Sequence, residues 1–519
     1  MTNLSDLFPA GAGKQVSFTA SGNVTSSGKP VILNSDGTVS EVSGTTESIG
    51  SKTDPLVANA DSYNYLSGVQ RDVVYDPTAD RVILASQCNQ SGANNQIRVV
   101  AGQVSGSTCT FGSSINVSST ETGTGVNVPA NNAALCYDED NGFPLLFVQS
   151  ADSSYYGYPV LVPLVVSGST ISLGTPLVVE SVSCTNYASF CTYDTTNDKV
   201  LCVYGSVTLN NYLRAAVVTV SSTSSLSVTG SPVTEPANVA ANQNWYLTYD
   251  PSADLHFLCG GLGTPHFYGT TIDISTGTAV WKSSMDTVDT PTGAPGYPVS
   301  TYDSTSQAII TSFYDTPDGG STYTNQLVVV VLSGSGASTT ITKGTNGNTG
   351  FAAVNYYGAP VYDPDKNVTG MAFNTSTGVS YVTVTLTGAS PYTVSVGTAT
   401  VMDSSNVSLG SQNIGVYDPD TDQICNIGGQ SANKACIMYS PASTNVTASN
   451  FLGISDAAIS SAASGNITIK GGIAATGLSS LTPASDYYVQ DDGTITTVSS
   501  SVKAGKAVSA TAINLEYTS

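Results

Sequence analysis

Two histidines, four arginines and nine cysteines are the residues of this chain best suited by type to catalysis or metal binding. His256 lies in the apolar run Leu255-His256-Phe257-Leu258, and neither it nor His266 belongs to a metal-ligand motif. His256 therefore reads as a packed histidine. A Ser-His-Asp triad needs its nucleophile raised on an elbow, and no G-x-S-x-G stands in a strand–turn–helix context. The cysteines are Cys88, Cys109, Cys136, Cys184, Cys191, Cys202, Cys259, Cys425 and Cys436, with no C-x-x-C pair among them. Most sit in apolar runs such as Leu201-Cys202-Val203, as buried free thiols packing like small hydrophobes do. That usage suits a reducing compartment. Walker and dinucleotide-binding glycine motifs are absent, and no cofactor is implied.

Acidic residues are the more abundant chemistry. Net charge is −22 with only Arg71, Arg81, Arg98 and Arg214 as arginines, which argues against binding a phosphate backbone. Many of the acids recur at one kind of place. A Tyr-Asp pair closes a short apolar run at Tyr75-Asp76, Tyr137-Asp138, Tyr193-Asp194, Tyr249-Asp250, Tyr302-Asp303, Tyr362-Asp363 and Tyr417-Asp418. Successive tyrosines are 62, 56, 56, 53, 60 and 55 positions apart, whereas Tyr314-Asp315 falls off this period. A second acid or amide follows the tyrosine by five at Asp80, Asp198, Asp254, Asn367 and Asp422, replaced by Gly142 and Gln307 in the other two copies. Two acids flanking a turn could hold calcium, but oxygen ligands are few and the residue type varies. An Asx-type turn, with Asp bonding the backbone two residues on, accounts for the pattern better.

These turns need strands on both sides. In the third copy Phe190–Tyr193, Lys199–Tyr204, Leu213–Val220 and Leu226–Val233 read as four strands, which is one propeller blade. Charged residues at 10% and 50 glycines also suit an all-β chain, and no apolar stretch reaches membrane-helix length. Seven copies predict a seven-bladed β-propeller over residues 58–447. The seventh copy is short, so a strand from before Tyr65 is expected to complete it.

Residues 1–57 and 448–519 lack the repeat. Val31–Val39 and Tyr488–Ile495 each read as strand, Asp-Gly turn, strand. The simplest account is one small β domain split in sequence with the propeller inserted into it, two separate small domains being the alternative. The opening Met1–Pro9 carries no basic and apolar leader pattern.

The C-terminal segment contains Phe451-Leu452-Gly453-Ile454-Ser455, Gly477-Leu478-Ser479-Ser480-Leu481-Thr482-Pro483 and Asp486–Thr494, and ends on Val502–Thr511. It resembles the C-terminal module of tailed-bacteriophage virion proteins, especially of marine phages. The N-terminal Gly28–Leu33 and Asp36–Val39 are similar to the opening of the same proteins, whose middle carries comparable repeats. The resemblance implies a virion structural protein assembled in the host cytoplasm, a tail- or capsid-fibre adhesin with other virion proteins as partners. A capsid decoration protein with a passive propeller is the alternative, and a glycan-active enzyme a lesser one. Sialidase-like propellers converge three arginines from different blades, whereas Arg71, Arg81 and Arg98 all fall in the first copy. Aromatic clusters at Tyr155, Tyr156, Tyr158, Trp245, Tyr246, Tyr356 and Tyr357, flanked by Ser, Asn and Gly, are the expected contacts to a host glycan or protein. The small end domain is expected to complete its core in a homo-oligomer, most simply a trimer.

Overall fold

The computed structural model describes residues 14–516 apart from residues 35, 46, 56–65, 89–95, 118–132, 150–156, 238–244, 262–265, 292–294, 316–322, 354, 376–377, 405–412, 429–434 and 501. It is all-β, and helix among these residues is limited to the single 3-10 turns Val207–Leu209 and Gly336–Ser338. Two compact units form: Ile49–Ser440, and Met1–Ser48 with Pro441–Ser519.

The larger unit is a seven-bladed propeller. Each blade is an antiparallel meander, as in blade 3: Cys184–Asp194, Lys199–Ser206, Tyr212–Ser222 and Ser225–Thr234. The innermost strands are Leu66–Asp76, Ala133–Asp138, Cys184–Asp194, Trp245–Asp250, Gly296–Asp303, Asn355–Asp363 and Ile414–Asp418. Each adjoins the next, and the last adjoins the first, so the ring is closed. Every periodic Tyr-Asp pair ends an innermost strand and turns the chain into the second. Tyr314-Asp315 instead ends the second strand of blade 5, which is why it falls outside the period.

Why the second strands are apolar throughout follows from this stacking. Phe143–Gln149 and Leu255–Gly261 are buried at every position because a neighbouring blade covers each face. Seven apolar clusters result, one between each pair of blades; Val82, Leu84 and Val100 of blade 1, for example, pack on Ile414, Ile427 and Met438 of blade 7. Blade 7 has three strands of its own, ending with Ala435–Ser440. The edge of that strand is filled from the start of the chain, where Gly50 N–H bonds Met438 O at 2.8 Å and Thr53 pairs with Cys436. The boundary expected at residue 57 therefore moves to residue 48, since Ile49–Thr53 belong to the ring. The second boundary moves from 447 to 440, because Asn445 bonds Ser43 and Glu41 of the smaller unit.

In the smaller unit the two chain ends interleave in one sheet, ordered Gln15–Thr19, Ser464–Ile469, Phe451–Ser455, Pro30–Leu33, Val39–Glu41. A second sheet comprises Ile473–Ala474, Ala512–Leu515, Lys503–Ser509, Asp486–Val489 and Ile495–Thr496. Both Asp-Gly hairpins form. Three apolar clusters, around Val31, Phe451 and Ile513, fill the unit. Gly28 and Gly477 lie backbone to backbone at positive φ, and a Cβ on Gly28 would stand 2.6 Å from the Gly477 carbonyl oxygen.

Candidate functional site

The Tyr-Asp turns form a belt around the ring. Within each turn the Asp carboxylate closes an Asx turn: Asp76 Oδ1 accepts from the N–H groups of Thr78 and Ala79, both at 3.0 Å. Asp194, Asp250 and Asp303 do the same in their blades. The residue five after the tyrosine is left-handed in all seven copies, with φ of 54° at Asp80, 75° at Gly142, 53° at Asp198, 54° at Asp254, 51° at Gln307, 52° at Asn367 and 53° at Asp422. Asp, Asn and Gly tolerate that conformation best, which explains the residue types at six of the positions.

The tyrosine hydroxyl then reaches the preceding blade, to the residue two after its Asp. Tyr137 meets Thr78 at 2.7 Å, Tyr249 meets Thr196 at 2.9 Å and Tyr362 meets Thr305 at 2.7 Å. Tyr417 donates to Asp365 at 2.7 Å, and Tyr75 of blade 1 donates to Asp420 of blade 7 at 2.9 Å, which closes the belt. Tyr193 and Tyr302 face the corresponding positions, the Asp140 backbone and Ser252. Burial, then the neighbouring carboxylates, push the Tyr75, Tyr249 and Tyr417 phenols well above the ordinary value, so all stay protonated donors. The sequence offered a signal for these contacts, a polar residue two after each Asp, that pattern reading by turn type alone passed over. In blade 6 Lys366 takes part as well, bonding Asp363 at 2.9 Å and the Asp422 carboxylate of blade 7.

Inside the ring the innermost strands enclose a channel with a cavity of ≈ 470 Å³, lined among others by Asp72, Tyr137, Thr192, Tyr193, Tyr246 and Tyr302. A second cavity of ≈ 240 Å³ shares Asp72, Tyr246, Ser300 and Thr301. Asp72 bridges two blades: Oδ1 accepts from its neighbour Val73 N–H at 2.9 Å and Oδ2 from Leu135 N–H of blade 2 at 2.8 Å. Burial raises its carboxyl to about 7 against these two donors. Asp72 is absent from the periodic pattern, and nothing in its local sequence marked it.

His256 is fully buried beside the belt. Its Nδ1 is 2.8 Å from the Thr192 hydroxyl, its Nε2 is 3.4 Å from Asp194 Oδ2, and its ring lies 4.8 Å from that of Tyr249. Hydroxyl, imidazole and carboxylate thus stand in the order of a hydrolytic triad, but Asp194 is already committed to its own turn through Thr196, Asn197 and Tyr249. Burial alone would raise the Asp194 carboxyl; His256 and the Asn197 donors outweigh it and hold it well below the usual range. This cluster ties blade 3 to blade 4, consistent with the packed histidine read from the sequence.

The aromatic residues expected at a contact surface divide. Tyr158 is 40% exposed. Trp245 is not a surface residue, and that expectation is corrected: it is 2% exposed and packs with Leu201, Leu213 and Leu258 between blades 3 and 4. It starts an innermost strand, where alternate side chains point into the blade stack. Tyr246, next along that strand, packs against the layer between blades 4 and 5 on the opposite face and also lines the cavity. Tyr155 and Tyr156 lie outside the described residues, as do the side chains of Tyr356 and Tyr357. Arg81 bonds Gly168 O of blade 2 at 2.9 Å, and the buried Arg98 bonds Ser114 at 3.2 Å.

Among the described residues, two groups have ligand-like spacing. Asp80, Asp418 and Asp420 gather where Tyr75 joins blades 1 and 7, and the buried thiols of Cys109, Cys425 and Cys436 gather in the same interblade layer. All eight cysteines whose side chains are described are free and buried.

No family model matches the chain, and no curated protein matches it. Among solved structures it is similar to a protein of unknown function from Dyadobacter fermentans, at 11% identity and a TM-score of 0.42 over 76% of this chain and 99% of that one. It is also similar to a Trypanosoma rangeli sialidase in complex with 2,3-difluorosialic acid, at 8% identity and a TM-score of 0.39 over 83% of this chain and 59% of that one. The Dos1 propeller matches at 14% identity and a TM-score of 0.40 over 76% and 95%.

Proposed function

We propose that the chain is a structural protein of a tailed-phage virion, a tail- or capsid-fibre component whose propeller contacts the host surface and whose terminal β unit joins other virion proteins. One observation carries the reading. The two terminal segments that resemble phage virion proteins are partners in a single sheet, paired from Gln15↔Thr468 through Ile32↔Phe451, with a complete closed ring inserted between them. A module made from both chain ends can keep a fixed attachment role while the insert varies. The belt suits the same role, since five of the seven blade junctions carry a hydroxyl bond in addition to apolar packing.

The decoration-protein alternative draws on a different observation. Trp245 and Tyr246 are taken up by the blade stack and the channel, which reduces the aromatic surface available to a receptor. The test is adsorption competition. Purified chain at micromolar concentration, added to host cells before the phage, should lower adsorption if the propeller is an adhesin. Unchanged adsorption with the protein still present in particles would favour the passive knob.

A further inference from the structure

Cys109 comes from blade 1, in Thr108–Phe111, and Cys425 and Cys436 from adjacent strands of blade 7. Their sulfur atoms all lie within 4.8 Å of one another, with Cys425 and Cys436 3.3 Å apart, and each residue is at most 1% exposed. In a tetrahedral thiolate site, Zn–S bonds of about 2.3 Å set sulfurs roughly 3.8 Å apart, within the span these three occupy.

The surroundings are arranged for this meeting. Gly102, whose register partner is Phe111, lies beside the Cys109 side chain, and a Cβ there would lie 2.6 Å from the Cys109 sulfur. Thr53, from the segment that completes blade 7, donates its hydroxyl to Cys109 O at 2.7 Å and also lies 3.4 Å from Cys436 O. Thr53 therefore ties the backbone of two of the three cysteines, Cys109 through its hydroxyl and Cys436 through a reciprocal main-chain pair at 2.9 and 2.8 Å.

The geometry points to a three-thiolate site for a thiophilic divalent cation, Zn²⁺ or its analogue Cd²⁺, that clips the last blade to the first. Three converging sulfurs select a soft ion. A divalent ion leaves one net negative charge in this apolar layer, whereas a monovalent one would leave two, a costlier burial. Bound there, the ion would join segments from opposite ends of the ring sequence, so loading accompanies folding and stabilises the closed form.

The experiment uses the full chain, reduced and stripped of metal, titrated with Cd²⁺ while the thiolate-to-metal charge-transfer absorption is followed. The expected result is saturation at one ion per chain, displacement by excess Zn²⁺, and a rise in melting temperature. C109S, C425S and C436S should each lose the band, while C259S, a buried thiol elsewhere, should keep it. T53V should bind roughly 10-fold more weakly or worse, the scale of outer-shell losses. X-ray absorption on the Cd²⁺-loaded wild type should count three sulfurs, a readout independent of whether any variant folds. A band that survives C436S, fewer than three sulfurs, or a Cys425–Cys436 disulfide as the stable form in the reduced preparation would overturn the site.

Discussion

Replacing Tyr249 by Phe removes one hydroxyl and tests whether the belt holds the ring. That hydroxyl lies 3.0 Å from Asp194 Oδ1, 3.0 Å from Asp254 Oδ1 and 2.9 Å from the Thr196 hydroxyl. Its single proton serves one carboxylate at a time, so the variant loses one charge-assisted bond and the acceptor for Thr196. A hydrogen bond to a charged group contributes about 1.5–3 kcal/mol, and partial exposure moves the expectation to about 2 kcal/mol. Tyr137 is the comparison: its hydroxyl bonds the exposed Thr78 at 2.7 Å and only approaches the Asp76 carboxylate, so Y137F should cost less, about 0.5–1 kcal/mol. For a unit of this size 2 kcal/mol lowers the melting temperature by roughly 2–3 °C, well within calorimetric precision. The sign with pH follows from Asp194, whose folded carboxyl titrates below its unfolded value. Its ionised contacts stabilise above the unfolded value and fade as pH falls through the folded one, so the gap between the variants should narrow in strong acid. Equal losses at Tyr249 and Tyr137, or none at either, would refute the belt as a source of stability.

Asp72 should give the opposite pH signature: raised to about 7 when folded, it makes stability fall as pH rises from about 4 to 7, and D72N should flatten that limb in equilibrium unfolding. Gln307 occupies a left-handed position without the tolerance of Asn or Gly, so Q307G should raise stability by about 0.5–1 kcal/mol in denaturant titrations. W245A should cost about 3–5 kcal/mol as a core truncation without a specific adsorption defect, whereas Y158A should change stability by less than about 0.5 kcal/mol and, if the propeller is an adhesin, reduce adsorption. Removing residues 441–519 takes out the two strands between Gln15–Thr19 and Pro30–Leu33, so the truncated chain should aggregate in light scattering and fail to enter particles.

The seven blades were legible because each turn imposes two local demands, an Asx acceptor and a left-handed residue, that restrict residue type wherever they recur. The completing strand followed from the short seventh copy, although its place, Ile49–Thr53, carried no turn signal. Trp245 was misread because a tryptophan beside Asn244 and Tyr246 looks alike on a surface and at the start of an inner strand; only the stacking of a neighbouring blade on each face distinguishes them. Asp72 depends on the packing of blade 1 on blade 2, and the meeting of Cys109 with Cys425 and Cys436 on ring closure, which sets side by side segments that no local pattern links.

The central claim is best tested by imaging purified particles with an antibody raised against residues 49–440, followed by averaging of the labelled feature. The account predicts label on tail or capsid fibres and a seven-lobed ring at that position. Particles that infect normally and contain none of this chain would contradict it.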